Sequence, residues 1–449
     1  MRALPKLREI WRMRASILEA LERTRLPVTW TRSITAAVER GLFEVSPDRC
    51  VARGMRDPRA QHLLRDLSES GPNQLVALSL GKAARGMHEA LLRELPRLPD
   101  AHRFTTLHAA LATQKSEAIL TEHPDPGLGS LEAGAWALAR CGGARAGDLL
   151  VACVSGGASS MMCGWESSRH DELRSLITRL RARGATIEEI NAVRCAFDPL
   201  KRGGLRRHFQ PGSTLTFVLS DTPFAPPSVV GSGPTIPSNP APIRELLARY
   251  ELSPPRLHSD RIEGAHAPIS APLDPAHVVI EVGDNDAAVA AIHLALHDDA
   301  HTVARGPSMR GHAFEAGRDF ARALGDGPPG LLVSGGECTT TIRGEGRGGR
   351  TMEFALGAAQ QLRGRLDAGV VVVATDGDDG TSGAGGAVGH GLTVEQLGHR
   401  GLTIPELLAR SDSAAGLRAV GGLLESEPTG TNVADVAIGW RLPPRLPSP

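Results

Sequence analysis

Lysine is nearly missing from this 449-residue chain: of its 50 basic residues only Lys6, Lys82, Lys115 and Lys201 are lysine. Genome composition alone can set such a bias, but it makes the surviving lysines worth locating. Lys82 and Lys201 both stand near glycine, in LGKAARG and LKRGG, and lysine brings a compact ammonium to a phosphate where arginine brings a planar fork. Net charge is missing too. Fifty basic residues balance fifty acidic ones, which gives no pointer to nucleic acid or to an anionic membrane as partner. The six cysteines contain no C-x-x-C pair, so they read as small core residues of a reduced protein. No apolar run approaches the ~18–20 residues of a membrane span. Arginines and glutamates interrupt the first 25 residues, against a signal peptide, and the cytoplasm is the expected location. There is no Walker-A string, since Ala83 follows Lys82 and Val76 stands at the earlier glycine position. Protein-kinase signatures and a G-x-S-x-G elbow are also absent, so a serine hydrolase built on Ser155 lacks its motif.

What is present is a set of buried-strand patterns with unusual ends. LLVACVSGGA (149–158) and LLVSGGEC (331–338) both stop at Ser-Gly-Gly, and VVVVATDGDDGTSG (370–383) stops in acids. Helical spacing covers 7–25, 31–42, 172–184, 186–197, 286–297, 312–324 and 351–363, with a Thr186/Glu189 capping box and Ser130 as an N-cap. Strands alternating with helices argue for α/β layers around mostly parallel sheets. The aperiodic, Pro- and His-rich stretch 251–275 reads as a linker. The expected parse is therefore an N-terminal domain over 1–250, including a helical extension, and a C-terminal domain over 276–449.

Ligands of open α/β sheets bind beyond the carboxyl ends of strands. Ser155-Gly156-Gly157-Ala158-Ser159 and Ser334-Gly335-Gly336 are expected there as turns whose glycines let backbone N–H groups approach an anion. A tight turn without a ligand is the plain alternative. GEGRGGR (344–350) satisfies G-x-G-x-x-G, but the acid usually found at the next strand's end about twenty residues on has its counterpart, Asp376, further away. Arg347 and Arg350 suit something more anionic than a pyrophosphate, unless the loop is simply a solvated hairpin. Asp376, Asp378 and Asp379, together with Asp221 and Glu337, offer the hard oxygen ligands Mg²⁺ prefers; capping of an Asp-Gly turn would also account for the acid cluster. His123, in EHPDP, is either catalytic or polar surface. Glycine turns, two lysines, loop arginines and acids together suit phosphoryl transfer, which depends on positioning and charge neutralisation.

LGKAARGM, EHPDPGLGSLEAG, VSGGASS, INAVRCAFDPLKRGG, LSDTPFAPPSVVGSGPT, LVSGGECTTTIRGEGRGGRTMEFAL, ATDGDDGTSGAGG and PTGTNVADV occur in the order found in the glycerate 2-kinase family (class II, with a MOFRL C-terminal domain). The chain resembles that family from about residue 74 to 438. The resemblance implies a Rossmann-like α/β/α N-terminal domain, a smaller α/β MOFRL-like C-terminal domain and an active site in an interdomain cleft. It implies transfer of the ATP γ-phosphoryl group to the 2-hydroxyl of D-glycerate, with Mg²⁺. Residue by residue, it implies Lys82 and Arg350 as catalytic cations, and Ser155, Gly156, Gly157, Ser159, Ser334, Gly335, Gly336, Gly346 and Gly349 as nucleotide-binding positions. It places Arg194, Lys201, Arg347, Thr351 and Met352 at the substrate and Asp221, Glu337 and Asp376 at the metal.

Four departures stand out. Thr351-Met352 replace an Asn-Gln pair, Cys195 a common lysine, Phe224-Ala225-Pro226 a Gly-Asp-Asp, and Ala158 a glycine. Because Thr351 and Met352 follow Arg350 at a helix start, they are expected to border the acceptor, and losing the amide pair predicts an acceptor bulkier or less polar than glycerate. A non-catalytic nucleotide or metabolite binder is the competing class. An NAD(P) dehydrogenase rests on the glycine fingerprint alone. The expected partner is a small-molecule substrate, with a homodimer left open.

Overall fold

The computed structural model describes residues 7–67, 73–97, 104–112, 119–123, 125–165, 167–239, 242–253, 276–299 and 301–444. Contacts divide the chain into two units. One comprises Pro47–Ser220 and Phe224–Val282, the other Met1–Ser46, Asp221–Pro223 and Gly283–Pro449. The expected boundaries need correcting. Residues 1–46 join the C-terminal unit, and the strand 277–283, read as the start of the C-terminal domain, instead lies in the sheet of the N-terminal one. Most of the expected linker, 254–275, lies outside the described residues.

The N-terminal unit is built on β1 (Asn73–Leu80), β2 (Phe104–Ala112), β3 (Ile119–Leu120), β4 (Leu149–Ser155), β5 (Ser213–Leu219) and β6 (His277–Gly283), in the order β3-β2-β1-β4-β5-β6. The β2/β3, β1/β2, β1/β4 and β4/β5 pairs are parallel. This is the doubly wound, Rossmann-like order, in which chain progression reverses between β1 and β4. Every residue of β4 and β5 is buried, which is why both read as unbroken apolar runs rather than alternating ones. The Thr186/Glu189 capping box forms as expected: Thr186 N–H donates to Glu189 Oε2 (2.8 Å) and Glu189 N–H to Thr186 Oγ1 (3.3 Å). Ser130 is not an N-cap, since the helix Leu128–Cys141 starts from Gly127, whose N–H donates to Ser130 Oγ.

The C-terminal unit carries β7 (Val303–Arg305), β8 (Gly330–Gly336), β9 (Ala368–Ala374), β10 (Ala384–His390), β11 (Leu423–Glu425) and β12 (Asp435–Arg441), in the order β11-β10-β9-β12-β8-β7. Here the expected parallel sheet is not found. β7/β8 is parallel, whereas β8/β12, β9/β12, β9/β10 and β10/β11 are antiparallel. Parallel neighbours need a crossover of roughly a dozen residues or more. Residues 375–383 link β9 to β10 with no helix between them and simply turn the chain back. The two N-terminal helices Leu7–Glu22 and Val28–Glu44 belong to this unit. A Cβ at Gly41 would come within 2.6 Å of Ile292 Cγ1, so glycine lets the second of them lie close on the helix Asn285–Asp298. Among the described residues no helix is long and apolar enough to cross a membrane.

Candidate functional site

At the reversal point of the N-terminal sheet, the turns after β1 and β4 lock together. Lys82 N–H donates to Gly156 O (2.8 Å), Ala83 N–H to Ser155 Oγ (3.1 Å), and Ser155 Oγ–H to Leu80 O (3.3 Å). A Cβ at Gly81 would lie 2.3 Å from Ser155 Oγ and 2.4 Å from Ser155 O, and the residue has φ +111°; only glycine meets both conditions. Ser155 is thus a clamp between two turns, which corrects its expected place at a ligand. Ser159 Oγ lies 2.8 Å from Ser232 Oγ, tying the helix Ala158–Met161 to the loop after β5. What this end of the sheet offers is the exposed Lys82 and the half-buried, left-handed Gly157.

A third loop arrives at the same point. A Cβ at Gly157 would lie 3.0 Å from His123 Cδ2, 3.2 Å from His123 Nε2 and 3.4 Å from Lys82 Cγ. The loop after β3 therefore brings His123 beside the β1 and β4 turns. It is anchored on both sides. The Glu122 carboxylate accepts from Gly129 N–H (3.1 Å), Ser130 N–H (3.0 Å) and Ser130 Oγ–H (2.9 Å) at the start of the next helix. Asp125 takes a fork from Arg181 (2.9 and 2.6 Å) and one bond from Arg194 (2.9 Å). Hydrogen bonding to Arg181 holds the Asp125 carboxyl below its ordinary range.

Two expected substrate residues in this unit are structural. Lys201 is wholly buried; its Nζ donates to Met162 O (2.6 Å) and lies 3.8 Å from Asp198 Oδ2. Arg194, 4% exposed, is the buried anchor of the EHPDP loop. Neither reaches the Lys82–His123–Gly157 corner through any contact seen here, so their expected substrate roles are replaced by packing ones. Cys195 is buried as well.

In the C-terminal unit the second Ser-Gly-Gly is not a turn. Ser334, Gly335 and Gly336 are the last residues of β8 and pair with Ala437, Val436 and Asp435 of β12. A Cβ at Gly335 would lie 2.0 Å from Asn285 Oδ1 and one at Gly336 2.2 Å from Met309 O, so these glycines admit neighbouring protein rather than a nucleotide. The GEGRGGR loop is likewise filled. Gly346 N–H donates to Arg410 O (2.9 Å), and a Cβ at Gly349 would overlap the Asp379 carboxylate at 2.2–2.4 Å. That carboxylate accepts from Arg350 N–H (3.0 Å), Thr351 N–H (2.9 Å) and Thr351 Oγ1–H. An anion does sit at the helix N-terminus, as the dipole favours, but it is the protein's own Asp379. The phosphate-cradle reading of Gly346 and Gly349 is corrected accordingly.

Arg350, the first residue of the helix Arg350–Gln361, gives Nε and Nη2 to the two oxygens of Asp435 (2.6 and 3.0 Å), while Nη1 lies 2.8 Å from Glu337 Oε1. Burial would weaken its charge, but Asp435 first and then Glu337 and Asp379 raise its pKa above the ordinary value. Burial pushes the fully enclosed Asp435 carboxyl up to about 7, against the pull of Arg350. Thr351 and Met352, expected beside the acceptor, are both fully buried, Thr351 on Asp379 and Met352 in the hydrophobic core that also holds Phe354, Leu356 and Ala313. Arg347 remains exposed, with its N–H on Asp412 Oδ1 (3.2 Å).

Of the expected metal ligands, Glu337 is engaged by Arg350. Asp376 Oδ1 accepts Asp378 N–H (3.1 Å), and Asp221, which clusters with this unit, accepts from Asn432 Nδ2 (3.2 Å). Among the described residues no three His, Cys, Asp or Glu side chains gather as a metal site, so the three acids do not form the expected cluster. Sequence reading missed Asp435 and Asn432, both inside the quoted PTGTNVADV. It left Asp379 as one acid among three and His123 as either catalytic or polar surface.

Residues 33–260 match the family described as "Domain of unknown function (DUF4147)", and residues 330–435 match the MOFRL family. A "Putative hydroxypyruvate reductase" of Agrobacterium vitis is 30% identical over 434 residues, covering 93% of this chain and 97% of that protein. A glycerate 2-kinase of Pyrococcus horikoshii is 28% identical, covering 81% of this chain and 87% of that protein. The crystal structure of glycerate kinase from Thermotoga maritima aligns with a TM-score of 0.77 at 24% identity, over 93% of this chain and 100% of that one. Fold and relatives together define a phosphotransferase with an alcohol group as acceptor. The chain belongs to the glycerate kinase family, with a MOFRL domain in its C-terminal unit.

Proposed function

We propose that the protein transfers the γ-phosphoryl group of ATP to the 2-hydroxyl of D-glycerate, giving 2-phosphoglycerate, and that it does so in the cytoplasm. The observation that carries this reading is the exposed Lys82 at the reversal point of a doubly wound sheet, where such folds take their ligands and a point-charge cation suits a phosphoryl group. Lys82 would neutralise charge on the transferred group, with Gly156, Gly157 and Ser159 bordering it. Within the C-terminal unit, Arg350, held positive and oriented by Asp435 and Glu337, is the cation suited to an anionic ligand, with the exposed Arg347 in the same loop. Mg²⁺ is commonly held by one or two carboxylates plus substrate phosphates rather than by a full protein cage. Asp376 and Asp221 suit that manner of binding; bound there, the ion would neutralise phosphate charge.

A second reading, a bulkier hydroxylated acceptor, now rests on one departure. Thr351, Met352 and Cys195 are buried, but Phe224 is 64% exposed and holds φ +68°, a conformation rare for a bulky residue and concentrated at functional sites. A coupled assay of ADP release against D-glycerate, L-glycerate and larger hydroxy acids tests both readings, with hydroxypyruvate and a nicotinamide in parallel. ADP release dependent on D-glycerate is expected. Release only with larger acids favours the second reading, and oxidation of the nicotinamide by hydroxypyruvate overturns both.

A further inference from the structure

The loop Thr121–Asp125 does more than connect β3 to the next helix. β3 lies three strand positions from β4, about 14 Å at the usual spacing, while three extended residues span only about 10 Å. His123 is third after the end of β3, so its side chain completes the reach to Gly157. The residue before it, Glu122, is fixed by three hydrogen bonds at a helix start, and Asp125, two positions after it, is held by Arg181 and the buried Arg194. A histidine on polar surface needs no such bracing. The imidazole stays exposed at the rim while its Nε2 side faces Gly157, and the stem of Lys82 lies against the same glycine.

We propose that His123 is the catalytic base that takes the proton of the acceptor hydroxyl, a role that rests on the phosphoryl-transfer reading given above. As the acceptor oxygen forms its bond to the γ-phosphorus, its O–H bond breaks and the proton passes to the imidazole. The bond from the γ-phosphorus to the β,γ-bridging oxygen breaks, and its electron pair leaves with ADP. The exposed ring then returns the proton to water. Lys82 sits beside the base as the cation for the transferred group, so one turn, Gly157, has the proton acceptor on one side and charge compensation on the other. The charged groups around the loop include Lys82, Glu122, Asp125, Arg174, Arg181 and Arg194; Glu122 is held at the helix start, and Asp125 is held by Arg181 and Arg194.

The test is His123→Asn and His123→Ala in the full-length protein, assayed by ADP release with the best acceptor of the panel. Both variants should fold with an unaltered thermal midpoint, because the ring is exposed. A fall in kcat of about a hundredfold or more is expected, as for loss of a general base, with little change in the KM for ATP. The acid limb of the pH–rate profile seen in wild type should flatten in both variants, and added imidazole should restore part of the rate in His123→Ala. Activity within a few-fold of wild type overturns the proposal and leaves the kinase reading standing. So does a large loss that keeps the acid limb and shows no imidazole rescue, which would mark His123 as structural. If the wild-type protein releases no ADP with any hydroxylated acceptor, the kinase reading fails and takes the role of His123 with it.

Discussion

Lys201→Met removes one charge from a pair that lies wholly out of water. Lys201 Nζ is 3.8 Å from Asp198 Oδ2, both side chains are fully enclosed, and Asp198 is otherwise held by the Gly164 and Leu200 N–H groups on Oδ1 (3.0 and 2.9 Å). At an effective dielectric of about 20, two charges this close attract by about 4 kcal/mol, and breaking a buried pair typically costs about 3–5 kcal/mol. Met162 O also loses its donor. A loss of about 4 kcal/mol at pH 8 is therefore expected, or about 8–16 °C in the unfolding transition of a unit this size.

The pH dependence follows from Asp198. Burial already holds its carboxyl above the ordinary range, with Lys201 pulling it back, and losing the lysine raises it further. A group raised in the folded state favours the fold below its unfolded pKa and loses that contribution as pH climbs. The deficit of the variant should therefore be small near pH 4 and complete by neutrality. Asp198→Asn added to Lys201→Met should recover most of the loss, since no unpaired charge remains. Thermal unfolding at pH 4, 6 and 8 reads all three effects. A stability change below about 1 kcal/mol combined with a large rise in substrate KM would refute the argument and return Lys201 to the substrate.

Met352→Gln should cost about 3 kcal/mol by burying an unpartnered amide, without improving D-glycerate preference in steady-state kinetics; a gain in that preference would mean the side chain faces the acceptor after all. Gly81→Ala should destabilise the N-terminal unit by more than about 1 kcal/mol, because positive φ and backbone overlap act together, and should lower kcat by displacing Lys82; a tolerated alanine would contradict the clamp. Glu353, 6% exposed, has its carboxyl pushed up to about 7 by burial, with Arg343 opposing. As a raised acid it loses its favourable contribution as pH rises from about 4.5 to 7. Glu353→Gln should thus match wild type near pH 4 and exceed it in chemical denaturation at pH 8, by up to about 3 kcal/mol.

The strands that organise the fold were readable because burial on both faces leaves an unbroken apolar run, as in β4 and β9. The Thr186 box was readable because both partners lie within one helical turn. The orientation of Thr351 and Met352 was not. Residues 351–359 are buried all round the helix, so no polar stripe marks which side faces what, and adjacency to Arg350 was a poor guide. Asp435 was missed for a different reason: its partner is 85 residues away, and no local pattern records a pairing made by strand β12 lying between β8 and β9. The second Ser-Gly-Gly misled because a glycine that admits Asn285 looks, in sequence, like one that admits a phosphate. Lys82 and Gly157 were picked out correctly as neighbours of strand ends, yet only the structure places His123 with them.

Because the segment of the helices Leu7–Glu22 and Val28–Glu44 clusters with Gly283–Pro449, that segment is synthesised well before most of the unit it belongs to. Its two helices must wait while more than two hundred residues follow, roughly 10–50 s at about 5–20 residues per second, with Met13, Ile17, Ile34 and Leu42, all buried in the finished protein, lacking their final neighbours. The middle of the chain, by contrast, needs no segment from either end to finish its sheet. A gene rearranged so that residues 1–46 are encoded after residue 449 would shorten the interval during which those helices invite aggregation.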